Sequence, residues 1–161
     1  ARIGEALLKI SSIAGYPRAI NGLVEFKACF DDTVAPQQIR LPLHEMTSQK
    51  IEGIRNRGSA LFDQVYERHS QKLRSRLTSA SPDLMELIIQ DQYGHLLSDE
   101  TILNAVETEL VVVAGLVPLN VSPQLRGHMV GALNVGASQA QVDLAVQIGQ
   151  LASKLTPPTS L

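Results

Sequence analysis

Cysteine is nearly absent from this sequence, with Cys29 alone among 161 residues. A single thiol excludes an internal disulfide and any CxxC redox or zinc motif, and it suits a reducing compartment. Cys29 lies in an apolar run, which predicts a buried small side chain rather than a nucleophile. Long apolar runs are missing too. The densest, from Leu110 to Leu119, is interrupted by Gly115 and Pro118 and falls short of the roughly 20 residues that cross a bilayer. An excess of either charge is also lacking: 14 Lys and Arg face 16 Asp and Glu, so the broad basic footprint of a nucleic-acid binder is excluded. Alternating β-branched runs joined by Asn-Gly or Asp-Gly turns do not occur. The four histidines, His44, His69, His95 and His128, show no HxxxH or similar pairing, so no metal site is expected. No charged-then-apolar leader opens the chain, which predicts an intracellular protein. Ser153-Lys154-Leu155 spells a peroxisomal address, but six residues follow it, and that signal is read at the extreme C-terminus.

What is present is helix punctuation. The length fits one domain, and 44% hydrophobic residues supply a core without covalent staples. The fold class is all-α, with about six to seven helices in a single domain over residues 1–161. A helix is predicted from Ile3 to Ala14 and ended by Gly15, whose lack of a Cβ suits a left-handed cap. Pro17 suits the first turn of a second. Asp31 to Leu43 holds Pro36 and Pro42 without a helical stripe and reads as an extended connection, lid or oligomer arm. A long polar helix is expected over Ser48 to Leu77, its stripe broken near Gly58. The cluster Arg68, Lys72, Arg74 and Arg76 on its back reads as a solvated face. Ser81-Pro82-Asp83 starts a helix expected to stop at Gly94. Ser98 and Ser122 start two more, ending near Leu116 and Val135, and Ser138 with Gln141 forms a capping box for the last.

The chemistry-bearing segment is Glu109 to Ser138. Glu109 sits between Val106 and Val113 at helical spacing, and His128 sits between Leu125 and Ala132 in the same way. Each therefore projects from an apolar stripe, and two short consecutive antiparallel helices would bring them together. Burial raises a carboxyl pKa and lowers an imidazole pKa, whereas mutual pairing acts the other way. Such a pair is either a proton-transfer couple or a core hydrogen bond that fixes two helices; spacing alone leaves both open.

The same segment carries a resemblance. E-L-x-x-x-A followed by P-x-Q-L-x-x-H-x-x-x-A-L-N-x-G-A-S, with Ser-Pro-Asp-Leu and Tyr93-Gly94-His95 upstream, resembles the signature of the carboxymuconolactone decarboxylase family. The match covers residues 57–152 best, while residues 1–56 form a helical and extended N-terminal region. The resemblance implies the helical domain of the alkylhydroperoxidase superfamily, assembled as trimers or hexamers. In the peroxidase branch of that family a glutamate, a CxxC pair and a histidine relay protons. The resemblance places the glutamate at Glu109 and the histidine at His128, but the cysteine positions hold Val121 and Gln124. Thiol peroxidase chemistry is thereby disfavoured, because the thiolate is its nucleophile.

The decarboxylase branch lacks those cysteines and works without metal or organic cofactor. That branch implies a lyase or isomerase acting on a small carboxylated cyclic substrate. Glu109 and His128 would be catalytic, with Gln124, Arg126, Tyr93 and His95 as candidates for holding the substrate. For Arg126 the surface or subunit-interface reading comes before substrate binding, since it points to a different side of its helix from His128. The alternative from another class is a non-enzymatic oligomer that kept the fold after losing its thiols.

Overall fold

The computed structural model describes residues 1–30 and 45–155. The stretch from Asp31 to Leu43, expected as an extended connection, and His44 lie outside the described residues. The fold is all-α. The helices are α1 (Arg2–Ala14), α2 (Tyr16–Phe30), α3 (Ser48–Tyr66), α4 (Ser70–Ala80), α5 (Pro82–Leu87), α6 (Ala105–Leu116), α7 (Ser122–Asn134) and α8 (Gln139–Ala152). A wide-turned π segment, Ile88–Leu97, continues α5 directly.

Helix α6 is the centre of the molecule. Its sequence AVETELVVVAGL is apolar nearly all round, as a helix enclosed on several sides must be. It packs against α1, α7 and α8. Val112 and Leu116 join Leu61, Phe62 and Val65 of α3 and Ile89, Tyr93 and Leu97 of the π segment in one core. Val113 joins Ala132, Val142 and Ala145 in a second, between α6, α7 and α8.

Several punctuation signals act where expected. Gly15 ends α1 at φ 84, a region glycine enters without steric cost. Ser81 caps α5 with Pro82 following, and Ser138 and Gln141 form a reciprocal capping box at α8. Others are corrected. The long polar helix is two helices, and its break falls at Glu67 (φ 43), with a 3-10 turn over Glu67–His69, rather than near Gly58. Gly58 instead permits close packing: a Cβ there would lie 2.4 Å from the Ile89 carbonyl oxygen and 2.6 Å from the Gly94 nitrogen. Gly94 does not stop its helix, which runs on to Leu97. There the buried ammonium of Lys9, reaching from α1, donates to the carbonyls of Leu96 (2.7 Å), Leu97 (3.2 Å) and Asp99 (2.8 Å). Arg57 adds a bond to the Gly94 carbonyl at 2.9 Å. Ser98 does not start α6; Asn104 does, through a capping box with Glu107. Cys29, expected to be buried, is exposed in the last turn of α2, a helix that fully buries only Ala19.

Candidate functional site

Glu109 and His128 meet where α6 and α7 face each other. Nδ1 of His128 lies 2.8 Å from Oε2 of Glu109, within ordinary hydrogen-bond distance. The carboxyl group is fully buried and the imidazole 5% exposed. The close approach depends on Gly131, one turn along α7 from His128. A Cβ at Gly131 would lie 2.5 Å from Val65 Cγ1 and 3.2 Å from Glu109 Oε2, so any larger residue would push α7 off both α3 and the carboxylate.

The hydrogen-bonded chain does not stop at the pair. Nε2 of His128 lies 3.3 Å from the Tyr66 hydroxyl, and Tyr93 donates to that same hydroxyl at 3.2 Å. The four groups form one line: Glu109, His128, Tyr66, Tyr93. With Nδ1–H of His128 donated to the carboxylate, Nε2 is left to accept from Tyr66. Burial pushes the Tyr66 phenol up to about 12, against the pull of the Tyr93 hydrogen bond and with help from the nearby Glu109. Burial also holds the Tyr93 phenol well above its ordinary range, followed by the effects of Tyr66 and Glu109. Both are therefore neutral phenols at physiological pH. Oε1 of Glu109 is buried with no hydrogen-bond partner among the described residues.

Tyr66 is the member of this line that reaches a cavity. That cavity, of about 400 Å³, lies between the end of α3, α4 and α7. Buried Val65 and half-buried Leu73 give it an apolar floor, and exposed Val130, His69, Lys72, Arg76 and Arg126 lie at its rim. The break at Glu67 builds this arrangement, because it ends α3 just after Tyr66 and turns α4 so that Lys72 and Arg76 face α7 across the opening. Asn134 of α7 braces the break by donating to the Val65 carbonyl at 2.8 Å.

The expected residues thus separate. Of the four candidates for holding a substrate, only Arg126 lines this cavity. Gln124 is exposed in the first turn of α7, away from it. Tyr93 is 1% exposed and lies behind Tyr66. His95 is turned to Asp91, with Nδ1 3.2 Å from the carboxylate. The pair itself is walled off from the cavity by Tyr66, which sequence reading did not single out; its partner His128 is 62 positions away and no local pattern joins them. Arg68, Lys72 and Arg76 of the basic cluster are exposed, as expected of a solvated face, and Arg74 is the exception. Lys72 and Arg76 line the cavity, whereas Arg74 folds back onto α3, bonding Asp63 and Ser59 and lying 4.6 Å over the Phe62 ring. Among the described residues no three His, Cys, Asp or Glu side chains gather to hold a metal ion, and no helix is long and apolar enough to cross a membrane.

No family model matches the chain, and no solved structure does. Two curated proteins are similar to it, both called Peroxisomal protein 2. That of Saccharomyces cerevisiae is 35% identical over 93% of this chain and 61% of its own length. That of Schizosaccharomyces pombe is 35% identical over 95% of this chain and 69% of its own length. The chain spans less than two thirds of the first relative and slightly more than two thirds of the second. Identity at this level over nearly the whole chain is shared ancestry, and the chain belongs to the Peroxisomal protein 2 family.

Proposed function

We propose that this chain is a cofactor-independent proton-transfer catalyst, a lyase or isomerase of the carboxymuconolactone decarboxylase type acting on a small carboxylated cyclic substrate. The observation that carries the reading is the hydrogen-bonded line from Glu109 through His128 to Tyr66, which ends at the wall of a cavity rimmed by Lys72, Arg76 and Arg126. Loss of carbon dioxide, or removal of a proton beside a carbonyl, leaves an electron pair that must be held as an enolate and then protonated. Cationic side chains at the rim suit the carboxylate and the enolate oxygen, and the apolar floor suits a ring. The resemblance puts Val121 and Gln124 at the positions of the peroxidase branch's thiols, so a thiol mechanism of that type has no nucleophile at this site.

The second reading, a non-enzymatic oligomer, draws on the near-complete burial of Glu109 and His128, which equally suits a core hydrogen bond. Crystals grown with small cyclic carboxylates separate the two. The enzymatic reading expects a ligand between Tyr66 and Arg126 with its carboxylate against the Arg126 guanidinium; carboxylates bound only elsewhere would defeat it. Self-association as a trimer or hexamer belongs to this proposal. The outward stripe of Leu144, Ile148 and Leu151 on α8, each more than half exposed, is apolar surface that an assembly would cover. We also propose a peroxisomal location, which the shared name of the two relatives supports; a fluorescent fusion of the full-length protein tests that.

A further inference from the structure

We infer that Tyr66 is the group that exchanges a proton with the substrate, and that His128 and Glu109 act through it without touching the substrate. The inference rests on the proton-transfer reading above and specifies how that site would work. Three observations carry it. First, a catalytic acid or base must come within hydrogen-bond reach of the reacting atom, yet neither Glu109 nor His128 is among the residues that line the cavity, whereas Tyr66 is. Second, the Tyr66 hydroxyl is already engaged on its inner side, 3.3 Å from Nε2 of His128. Third, Tyr93 donates to the Tyr66 oxygen at 3.2 Å, and that donor would stabilise negative charge developing there as a proton passes.

The proton count closes without any outside reagent. At rest Nδ1–H of His128 is donated to Glu109, and the Tyr66 O–H points at Nε2. When a substrate C–H bond breaks, its proton moves to the Tyr66 oxygen as the phenol's own proton moves to Nε2. The electron pair of the broken bond stays on the substrate as an enolate beside Arg126 and Lys72. The result is an imidazolium paired with the Glu109 carboxylate, a neutral Tyr66 and an enolate. Reversal toward a different carbon gives an isomerisation. In the decarboxylation direction the site starts with His128 as the imidazolium: the C–C bond breaks, carbon dioxide leaves, and the pair left behind takes the proton from Tyr66 while His128 resupplies it. His128 and Glu109 are positioning and proton-storing residues in this scheme. Tyr66 is the catalytic residue.

Solvent deuterium exchange into carbon acids, followed by proton NMR in heavy water, tests it. 3-Oxocyclopentanecarboxylate, 3-oxocyclohexanecarboxylate and 4-oxocyclohexanecarboxylate, small carboxylated rings with exchangeable C–H beside a carbonyl, serve as probes with the full-length protein. Exchange above the buffer rate is expected for the wild type with at least one probe. In Tyr66→Phe exchange should fall by about 100-fold or more, with probe affinity close to wild type and a melting temperature lower by a few degrees, since the buried Tyr93 hydroxyl loses its acceptor. Retained exchange in Tyr66→Phe alongside its loss in His128→Gln would overturn the role of Tyr66 and leave the proton-transfer reading standing. Buffer-rate exchange of all three probes with the wild type would overturn both. A difluorotyrosine at position 66 keeps the shape of the side chain while lowering the phenol pKa, and covers the case in which Tyr66→Phe does not fold. The alkaline limb of the exchange rate should then move to lower pH; an unmoved limb contradicts the inference.

Discussion

Replacing Lys9 by Met should destabilise the protein severely, although Lys9 lies in the first helix and touches no part of the candidate site. The side chain is wholly buried, and its ammonium serves three carbonyls, those of Leu96, Leu97 and Asp99, with Glu5 at 3.9 Å. Met matches the stem in length but supplies no donor, so the last turn of the π segment would keep buried carbonyls without their cation. Hydrogen bonds to a charged group contribute roughly 1.5–3 kcal/mol each and are not additive, and breaking a buried ionic cluster by removing one member costs about 3–5 kcal/mol. A loss of about 3–5 kcal/mol is therefore expected, against a total stability on the order of 5–15 kcal/mol for a domain. Urea unfolding followed by circular dichroism reads it as a lower midpoint at unchanged slope. A cost below about 1 kcal/mol would refute the reasoning and show that the end of the π segment does not depend on α1.

Glu67 sits at φ 43 and ψ −125 at the helix break, a conformation that costs a non-glycine residue roughly 1–3 kcal/mol. Glu67→Gly should raise stability by about 1 kcal/mol, seen as a melting temperature higher by about 2–4 °C; a fall would mean the break is not strained. The Tyr66 phenol, held at about 12 against an ordinary 10.0, binds its proton more tightly folded than unfolded. Its contribution is fully present below about pH 10 and is lost as pH rises through about 12, on the order of 2 kcal/mol. Unfolding free energy measured across that window should fall less steeply in Tyr66→Phe than in the wild type, and parallel curves would count against it.

The parts of this molecule legible in the sequence are those whose signals are local. The caps at Ser81 and Ser138 and the glycine stop at Gly15 announce helix ends within four residues. Glu109 and His128 stand out because each is a polar residue in an apolar helical stripe, and burial makes such groups seek each other. Misreadings arise where tertiary contacts override a local signal. Gly94 looks like a stop, but Lys9, 87 positions from the Leu96 it caps, supplies the donors that let the segment run on. Ser98 looks like a cap because acids follow it, while Asn104 and Glu107 carry the capping box that forms. Lys72 and Arg76 are exposed, as helical spacing suggests, but spacing does not distinguish an open solvent face from the edge of a cavity. That distinction is set by the break at Glu67, a non-glycine residue at positive φ that no turn signal marks. Tyr66 was invisible for the same reason: it gains its meaning from α7.

In the proposed mechanism the Glu109–His128 pair moves protons for the cavity rather than merely holding α6 to α7. Deuterium exchange into the carbon-acid probes, measured on wild type and His128→Gln beside their melting temperatures, tests it most directly. Gln keeps an amide donor for Glu109 but has no site to take a proton from Tyr66. Exchange is predicted to fall by about 100-fold or more while the melting temperature drops by less than about 4 °C; undiminished exchange with a markedly lower melting temperature would contradict the claim.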